Sequence, residues 1–453
     1  MKLFLDWSDY QNAGMGDAYA DIPKNGGDFA KAVAVCISSG QCEQLNKGVM
    51  CPSFRVTGKS ALSPGGRVRL MKAALNATDT QALFDPELAE AMTLCVSCKG
   101  CKRECENEVD MALIKAEYLA QRLQVEALPL RSKLFAQLPQ LITWPIFRPL
   151  VLWRNRSPWL ARVSERYLKI SAKVPLPVPA KKTGTSAQPK LTPSNTDAIS
   201  DHKEVVLFID TFNRHFNPDA ATAALNLLEA AGYQVINASA NDGKPTKPLC
   251  CGRTYFANGL LAEAKIEATR LIKALTPHLD AGRWIIGLEP SCILSLRDEY
   301  LKLGLGEVAE RLAGRVLLLE EFIAREQTAK RWPLTFKVET GRALVHGHCH
   351  QKAVGAMKAM RKVLKTVDGL DFDLIESSCC GMAGHFGLEA EHYEISQAMA
   401  EQALFPALRT EPQAALIANG FSCQQQIANG GFGKPLHIAQ ILLAVVVTES
   451  ESL

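Results

Sequence analysis

The chain has 453 residues, of which 47% are apolar and 22% are charged, and this length predicts roughly two to three compact units rather than one small module. No stretch approaches the roughly 18 uninterrupted apolar residues of a membrane-spanning helix. The formal net charge of +4 is too small, over a chain of this length, to indicate binding to nucleic acid.

Cysteine is the residue type that stands out. Its 14 copies fall into two groups of seven, one between Cys36 and Cys105 and the other between Cys250 and Cys423. Asp6 stands where a secretory signal would have its apolar core, so we expect the reducing cytoplasm. Clustered cysteines in a reducing compartment indicate metal ligands or redox thiols rather than disulfides.

The first part of the chain divides into a lead-in and a helical domain. Residues 1–28 are rich in Gly, Asp and Asn without a clear period, which predicts an extended lead-in. The first cysteine group then lies in a predicted domain over 29–125. Asp85-Pro86-Glu87 is typical of a helix start, and residues 109–123 have an amphipathic helical pattern.

Residues 126–173 form a basic segment that holds three of the six tryptophans and only two acidic residues, Glu126 and Glu165. Its cations are Arg131, Lys133, Arg148, Arg154, Arg156, Arg162, Arg166, Lys169 and Lys173. Apolar and aromatic faces beside arginines suit the plane of a membrane interface, and equally a helical spacer packed on neighbouring domains. Residues 174–203, rich in Pro, Lys, Ser and Thr, are a predicted linker.

After the linker, short apolar runs alternate with helical patterns such as 218–231. The predicted strands are 204–210, 233–237, 284–288, 342–346, 372–375 and 415–418. This βαβ rhythm predicts parallel sheets. We therefore expect an α/β multidomain protein in which the helical domain is followed by two α/β repeats, over 204–340 and 341–447.

The second cysteine group supports this repeat. Each half has a Cys-Cys-Gly motif and, at nearly the same distance, a later single cysteine: Cys250, Cys251 and Cys292 in the first half, and Cys379, Cys380 and Cys423 in the second. Upstream of the pair, the second half also has His348-Cys349-His350. The matching place in the first half holds Thr211, so the first set is one cysteine short.

The first cysteine group has the spacing of iron-sulfur ligands. Cys95-Val-Ser-Cys98-Lys-Gly-Cys101-Lys-Arg-Glu-Cys105 follows the C-x2-C-x2-C-x3-C pattern of ferredoxins. A zinc knuckle is the alternative, but zinc sites usually separate their paired ligands by a longer loop. The neighbouring Lys99, Lys102 and Arg103 either raise a cluster's potential or form a solvated charged face.

An earlier run, Cys36, Cys42 and Cys51-Pro52, has the outer spacing of the same motif, with Ser39 at its second position. Ferredoxin-type exchange of the fourth ligand assigns Cys51, Cys95, Cys98 and Cys101 to one [4Fe-4S] cluster, and leaves Cys36, Cys42 and Cys105 facing a second site. That second site holds a [3Fe-4S] cluster, a [4Fe-4S] cluster with a further ligand that is not cysteine, or nothing. We expect an occupied cluster.

Three motifs connect the chain to a known family. Cys51-Pro-Ser-Phe-Arg-Val-Thr57, Ser63-Pro-Gly-Gly-Arg67 and Cys98-Lys-Gly-Cys-Lys-Arg-Glu-Cys-Glu-Asn-Glu-Val-Asp-Met111 resemble the iron-sulfur part of FAD-linked 2-hydroxyacid oxidoreductases. These include D-lactate and D-2-hydroxyglutarate dehydrogenases, the glycolate oxidase iron-sulfur subunit and one of the subunits of anaerobic glycerol-3-phosphate dehydrogenase. The resemblance covers nearly the whole chain from about Asp28, and departs from the family at Glu106, where proline is usual.

The two repeats resemble the CCG cysteine-rich domains of heterodisulfide reductase. The resemblance implies that Cys349, Cys379, Cys380 and Cys423 form a complete set for a noncubane iron-sulfur cluster or for zinc, whereas Cys250, Cys251 and Cys292 lack the upstream member. Disulfide exchange by the vicinal thiols and a purely structural metal site are the alternatives. His348, His350 and His385 are metal ligands, proton carriers near a quinone, or hydrogen-bonded loop histidines.

The flavin is expected on another polypeptide, because Gly304-Leu-Gly-Glu-Val-Ala-Glu310 lacks the third glycine and the preceding strand of a dinucleotide-binding loop. The resemblance then implies an electron-transfer subunit that passes electrons from FAD on a partner chain to quinone, and that lies peripherally on the inner face of the cytoplasmic membrane. The alternatives are a heterodisulfide-reductase-like thiol/disulfide oxidoreductase and a structural metal scaffold for the flavin partner.

Overall fold

The computed structural model describes residues 1–16, 20–44, 50–181, 203–240 and 247–447. Most of the predicted linker, residues 182–202, lies outside the described residues. The described part is a mixed α/β protein: a helical N-terminal region is followed by two parallel sheets with helices between their strands. The predicted fold class is therefore confirmed.

The N-terminal region is built from short helices around the first cysteine group. These are α1 (Gly27–Ala34), α2 (Pro52–Thr57), α3 (Pro64–Asn76), α4 (Pro86–Thr93), α5 (Gly100–Glu104) and α6 (Met111–Arg122). Helix α4 begins at the predicted place, since Asp85 accepts hydrogen bonds from the backbone N–H groups of Glu87 and Leu88. Helix α6 begins similarly, with Asp110 accepting from the N–H of Leu113 at 3.1 Å.

The start of the chain packs on helix α6 rather than extending freely. Glu117 is fully buried, and its carboxylate accepts hydrogen bonds from the backbone N–H groups of Phe4 and Leu5 and from Nε1 of Trp7. The backbone N–H of Asp6 donates to the carbonyl of Lys302 at 2.8 Å, far along the chain. The described part of the lead-in therefore joins the helical region to the first repeat.

The basic segment is helical, as α7 (Leu130–Ala136), α8 (Leu138–Leu141), α9 (Phe147–Arg156) and α10 (Pro158–Leu168). Some of its cations hold the segment to the rest of the protein. Arg154 is buried and donates to the carbonyls of Ser171 and Val174, and Arg131 pairs with Glu391. Its tryptophans, in contrast, face outwards: Trp153 is 62% exposed and Trp159 is 68% exposed.

The first repeat surrounds a parallel sheet with strand order β2-β1-β3-β4. Its elements are β1 (Lys203–Phe208), α11 (Thr211–His215), α12 (Pro218–Ala230), β2 (Tyr233–Asn237), α13 (Arg253–Phe256), α14 (Leu261–Asp280), β3 (Trp284–Gly287), α15 (Pro290–Ile293), α16 (Glu307–Ala313), β4 (Val316–Leu318) and α17 (Leu319–Thr328). In register, Val205 of β1 pairs with Val235 of β2 and with Trp284 of β3.

The second repeat surrounds a parallel sheet with strand order β6-β5-β7. Its elements are β5 (Phe336–Val345), α18 (Cys349–Ala353), α19 (Met357–Leu364), β6 (Val367–Leu374), α20 (Tyr393–Glu401), α21 (Leu404–Thr410), β7 (Ala415–Ile417), α22 (Phe421–Asn429) and α23 (Ile438–Ala444). In both sheets the first strand of the repeat lies between the second and the third, so the repeat predicted from the cysteines is also a repeat of topology. Within the described residues, β4 has no counterpart in the second sheet.

Candidate iron-sulfur and metal centres

The first centre lies where the N-terminus of α2 meets the loop before α5. Its cysteines line one small pocket: Cys51, Cys95, Cys98 and Cys101. Ser97 and Lys99 have positive φ angles of 49° and 60°, so the loop between Cys95 and Cys101 makes two tight left-handed turns. The structure thus brings together the four residues that the spacing predicts for one [4Fe-4S] cluster.

Arg67 is a buried cation beside this pocket. Its side chain is 1% exposed, and its Nη1 donates to Sγ of Cys51 at 3.2 Å while its Nη2 donates to Oγ of Ser53 at 2.7 Å. Burial alone would lower the pKa of Arg67, but Cys51, Cys95 and Cys101 outweigh it and raise the pKa. A buried guanidinium needs negative charge nearby, so the pocket fits an anionic, thiolate-bound cluster.

The second centre is a cavity of about 180 Å³ beside the start of α3. Cys36, Cys42 and Cys105 line it together with Ser39. The backbone N–H of Gly65 donates to Sγ of Cys42 at 3.3 Å, and a Cβ at this glycine would lie 3.3 Å from the same sulfur. Three thiolates with a serine in the same cavity wall fit the second cluster. The hydrogen bond from Gly65 to the Cys42 sulfur would tune the potential of that cluster.

The cysteines of repeat 1 form a buried chain: Cys250, Cys251 and Cys292. Hydrogen bonding with Cys251 and burial raise the pKa of Cys250 well above its usual value, while Thr211 hydrogen-bonds to the same thiol and opposes the shift. The structure therefore places Thr211 against the vicinal pair, where the sequence predicts it in place of a cysteine. This set fits a metal less well than its counterpart in repeat 2.

The cysteines of repeat 2 form the corresponding chain: Cys349, Cys379, Cys380 and Cys423. The hydrogen bond with Cys379, together with the neighbouring His348 and His350, lowers the pKa of Cys349 well below its usual value. Burial opposes the charging of His348, but the Cys349 thiolate raises the pKa of His348 to about 9. A largely buried set in which two members, Cys349 and Cys380, have thiolate character can bind a metal ion or cluster.

Gly381 shapes this set, and its replacement tests that role. Its N–H donates to Sγ of Cys379 at 3.4 Å, its φ is +92°, and a Cβ would lie 2.1 Å from the backbone oxygen of Ser396. We expect Gly381→Ala to lose about 2–4 kcal/mol of unfolding free energy, because strain and a backbone clash add. Urea unfolding of the anaerobically purified chain measures the loss.

Gly384→Ala is the matched control. Gly384 also has a positive φ, +71°, but nothing lies within 4 Å of a Cβ built there. Only the backbone strain remains, so the expected loss is about 1 kcal/mol. Equal losses of unfolding free energy in the two variants would show that the close approach of Gly381 to Ser396 does not affect stability.

The first centre and the repeat 2 cysteines are neighbours in space. Helix α18, which begins at Cys349, packs against α5, and Nε2 of His350 lies 3.1 Å from the carbonyl oxygen of Ser97. Burial raises the pKa of Cys98 well above its usual value, and the charge of Cys349 adds to that shift. The two cysteine sets are therefore within electrostatic reach of each other.

Lys99 and Lys102 join the helical region to repeat 1, so the alternative of a solvated face is wrong for these two lysines, whereas Arg103 is exposed. Lys99 is only 3% exposed and pairs with Asp298 at 2.6 Å and Glu299 at 2.8 Å. Lys102 pairs with Asp298 at 2.8 Å. Arg253 also pairs with Glu299. Asp298 and Glu299 of repeat 1 therefore hold the loop that carries the cysteines of the first centre.

A cavity of about 370 Å³ opens between these regions. On one side it is lined by Cys95 and Ser97 of the first centre and by His348, Cys349 and His350 of repeat 2. Apolar side chains line much of the rest, among them Leu119, Leu123, Phe212, Phe386 and Phe421. His385, Glu389 and His392 also line it, and Glu389 accepts hydrogen bonds from the ring nitrogens of both histidines.

Three residues of these centres were not predicted from the sequence: Arg67, Glu289 and His346. Arg67 belongs to one of the motifs that carry the resemblance, but nothing local shows its contact with Cys51. Glu289 accepts a hydrogen bond from the N–H of Phe421, 132 positions away. His346 lies three positions before Cys349, and this closeness is the one signal that the sequence offered.

Comparison with known proteins supports iron-sulfur clusters in the helical N-terminal region. Residues 32–109 match the 4Fe-4S dicluster domain. The chain is 23% identical over 460 residues to the D-2-hydroxyglutarate dehydrogenase of Escherichia coli (strain K12), which covers 91% of this chain and 43% of that protein. It is 26% identical over 229 residues to one subunit of the anaerobic glycerol-3-phosphate dehydrogenase of the same organism, covering 49% of this chain and 54% of that subunit.

A further relative is lactate utilization protein A of Oceanobacillus iheyensis, 27% identical over 252 residues, 53% of this chain and 96% of that protein. The chain spans less than half the length, 43%, of the D-2-hydroxyglutarate dehydrogenases that it matches. These findings confirm the predicted resemblance to the iron-sulfur part of dehydrogenases. The chain carries a 4Fe-4S dicluster domain and is related to electron-transferring oxidoreductases.

Proposed function

We propose that the chain is the iron-sulfur electron-transfer component of a flavin-dependent 2-hydroxyacid dehydrogenase, acting on D-lactate, glycolate or D-2-hydroxyglutarate. The observation that carries this proposal is the continuity of the cysteine sets. The backbone N–H of Cys105, in the second centre, donates to the carbonyl of Cys101, in the first centre, at 3.0 Å. On the other side, His350, next to Cys349 of the repeat 2 set, lies 3.1 Å from the carbonyl of Ser97 in the loop of the first centre. Redox groups that lie next to one another in this way allow single electrons to pass from one group to the next.

The chain's own residues would hold and insulate the redox groups. Iron-sulfur clusters, when bound, accept single electrons with little rearrangement, which suits them to a two-electron flavin donor. Arg67 would balance the charge of the first centre, and the Gly65 N–H would stabilise the Cys42 thiolate. The FAD and the hydroxyacid would bind outside residues 1–453, in keeping with the greater length of the related D-2-hydroxyglutarate dehydrogenases.

Quinone is the proposed electron acceptor, and the 370 Å³ cavity is its proposed place. The cavity touches both the Cys95–Ser97 loop and Cys349, and its apolar side chains suit a quinone ring. Reduction of a quinone also consumes two protons. His385 and His392, joined through Glu389, are groups that can carry protons to the cavity.

An electron-transfer assay tests the proposal. The full chain is purified anaerobically, mixed with an FAD-binding hydroxyacid dehydrogenase, and supplied with a D-2-hydroxyacid and a water-soluble menaquinone analogue. Reduction of the analogue that requires both proteins supports the proposal. Equal reduction by the flavoprotein alone contradicts it.

A membrane-facing role for the basic segment is part of the proposal. Its exposed cations are Lys133, Arg156, Arg162, Arg166, Lys169 and Lys173, of which Lys173 pairs with Glu394. Its exposed aromatic residues are Trp144, Trp153, Trp159 and Tyr167. On α10, Trp159, Arg162 and Arg166 recur at helical spacing and share a face. Among the described residues, no helix is both long and apolar enough to cross a bilayer. Peripheral binding to anionic lipid therefore fits this surface.

Point variants test the membrane role better than deletion of the segment, because Arg131 and Arg154 hold it to the protein. Each surface cation contributes about 1 kcal/mol to binding of anionic lipid, so Arg162→Gln with Arg166→Gln should weaken binding about 30-fold. Sedimentation with vesicles of phosphatidylethanolamine and phosphatidylglycerol at low salt measures the change.

The matched control is Arg409→Gln, which removes an exposed cation outside the segment. It should leave vesicle binding unchanged. If the double variant also binds as the unmodified chain does, or if the protein binds uncharged phosphatidylcholine vesicles equally well, the basic segment does not dock on anionic lipid.

The second candidate function is thiol/disulfide oxidoreduction in the CCG repeats. It is favoured by the surroundings of Cys349, whose Sγ lies 3.9 Å from Nδ1 of His348. The hydrogen bond with Cys379 and the adjacent histidines lower the pKa of Cys349 well below its usual value. Thiolates of this kind attack disulfides. An EPR signal that appears only after a disulfide substrate is added would support this candidate over quinone reduction.

A further inference from the structure

We infer that His346 is a nitrogen ligand of the metal centre in repeat 2, beside Cys380 and Cys423. A ring nitrogen of His346 and the two sulfur atoms all lie within 4.8 Å of one another. The three side chains are between 2% and 3% exposed, so they face a common point inside the protein. The inference rests on the proposal that the repeat 2 cysteines bind a metal ion or cluster.

The imidazole ring of His346 is held in one orientation. Its Nδ1 lies 3.1 Å from Oγ of Ser377, and Ser377 in turn accepts hydrogen bonds from Nζ of Lys352 through both its hydroxyl and its carbonyl. Histidines that bind metals commonly place their second ring nitrogen on such a partner, which fixes the tautomer. Nδ1 is thereby occupied by the contact with Ser377, and Nε2 is the ring nitrogen left to bind a metal.

Nε2 of His346 is buried and has no nitrogen or oxygen partner among the described residues; apart from Ser377, the ring contacts the Cys380 sulfur. Sulfur is a weak hydrogen-bond acceptor, and an unpaired buried ring nitrogen costs about 1–3 kcal/mol, so this contact compensates only in part. A metal beside Cys380 and Cys423 supplies the missing interaction. The mixed nitrogen and sulfur donors suit zinc, or an iron-sulfur cluster with one histidine ligand.

Comparison of the two repeats supports the inference independently. Asp210 caps α11 as His348 caps α18, each accepting a hydrogen bond from a backbone N–H two positions on. In this alignment Thr211 matches Cys349, and Phe208 matches His346. Repeat 1 thus lacks both the upstream cysteine and the histidine, whereas repeat 2 has both. The two residues occur together, as ligands of one centre would.

The experiment compares the anaerobically purified full chain with His346→Phe, which introduces the residue of repeat 1. Iron and zinc per chain are counted, and coordination is read by pulsed EPR for an iron centre or by X-ray absorption at the zinc edge. We expect a directly bound nitrogen in the unmodified chain, seen at the zinc edge as a scatterer at about 2.0–2.1 Å. His346→Phe should lose that nitrogen ligand, and its affinity for the metal should fall 10-fold or more.

Two further variants separate ligation from folding. His346→Cys keeps a donor atom, so it should retain metal while losing the nitrogen signature. His278→Phe removes a histidine of α14 whose Nδ1 lies 3.3 Å from Nη1 of Arg283, outside the cysteine sets, so it should change neither the metal content nor the nitrogen signature. Unchanged coordination and metal content in His346→Phe would overturn the inference.

Failure of this inference is distinguishable from failure of the proposed function. If Cys380→Ser leaves the metal content unchanged while the dicluster EPR signals remain, repeat 2 binds no metal and the inference fails, although the clusters can still transfer electrons. If the chain holds only zinc, bound through His346, the inference stands and the electron-transfer function fails.

Discussion

A chain in which Cys98 is replaced by alanine should lose one [4Fe-4S] cluster, about four iron and four sulfide ions per molecule, and should no longer deliver electrons to a menaquinone analogue. Cys98 lines the first centre with three other cysteines and is the member whose pKa is influenced by Cys349. Its loss removes the step between the dicluster domain and repeat 2. Iron and sulfide analysis with a stopped-flow quinone assay measures both effects.

Cys36→Ala is the matched control, because Cys36 lines the second centre and not the first. It should lose the iron of that second centre and keep the EPR signal of the first. Identical losses of iron and of EPR signals in both variants would show that the cysteines do not divide into the two proposed sets.

Glu299→Gln should cost about 3–5 kcal/mol of unfolding free energy, because it breaks a buried network of charges. Glu299 is 2% exposed and pairs with Lys99 and Arg253, which join the ligand loop of the first centre to repeat 1. Glu401→Gln is the control, since Glu401 pairs with Arg409 on the surface and should cost less than about 1 kcal/mol. Urea unfolding of both variants at neutral pH compares them.

The same network predicts a dependence of stability on pH. Burial alone would raise the pKa of Glu299, but Lys99 and Arg253 outweigh it and lower the pKa from 4.5 to about 2. A lowered folded-state pKa stabilises the protein fully above about pH 4.5, and this stabilisation is lost as the pH falls towards about 2. The difference between the unmodified chain and Glu299→Gln should therefore shrink over that range. A constant difference would contradict the role of the charge.

Much of the architecture was predictable because it follows from local patterns. The spacing of Cys95, Cys98 and Cys101 is set by one loop, and the capping residues Asp85 and Asp110 act on N–H groups only two or three positions away. The parallel pairing in both sheets follows from the βαβ rhythm. Strand β4, Val316–Leu318, was missed because α17 begins directly after it at Leu319, so the apolar residues of the strand merge with the helical pattern.

The residues that were not predicted depend on contacts between distant parts of the chain. Lys99 reaches Asp298, 199 positions later, so one residue of a basic run that looks solvated is in fact buried against repeat 1. Arg67 meets Cys51 only after α2 and α3 pack together. The start of the chain has no periodic pattern, yet Glu117 holds it in place through its backbone N–H groups. Such pairings follow from tertiary structure, which residue spacing does not show.

Stepwise reduction of the anaerobically purified full chain, followed by EPR with iron, sulfide and zinc counts, tests the central claim most directly. We expect iron-sulfur signals from both centres of the dicluster domain, and their disappearance when a menaquinone analogue is added. A protein that carries zinc alone and gives no EPR signal at any potential would contradict the claim.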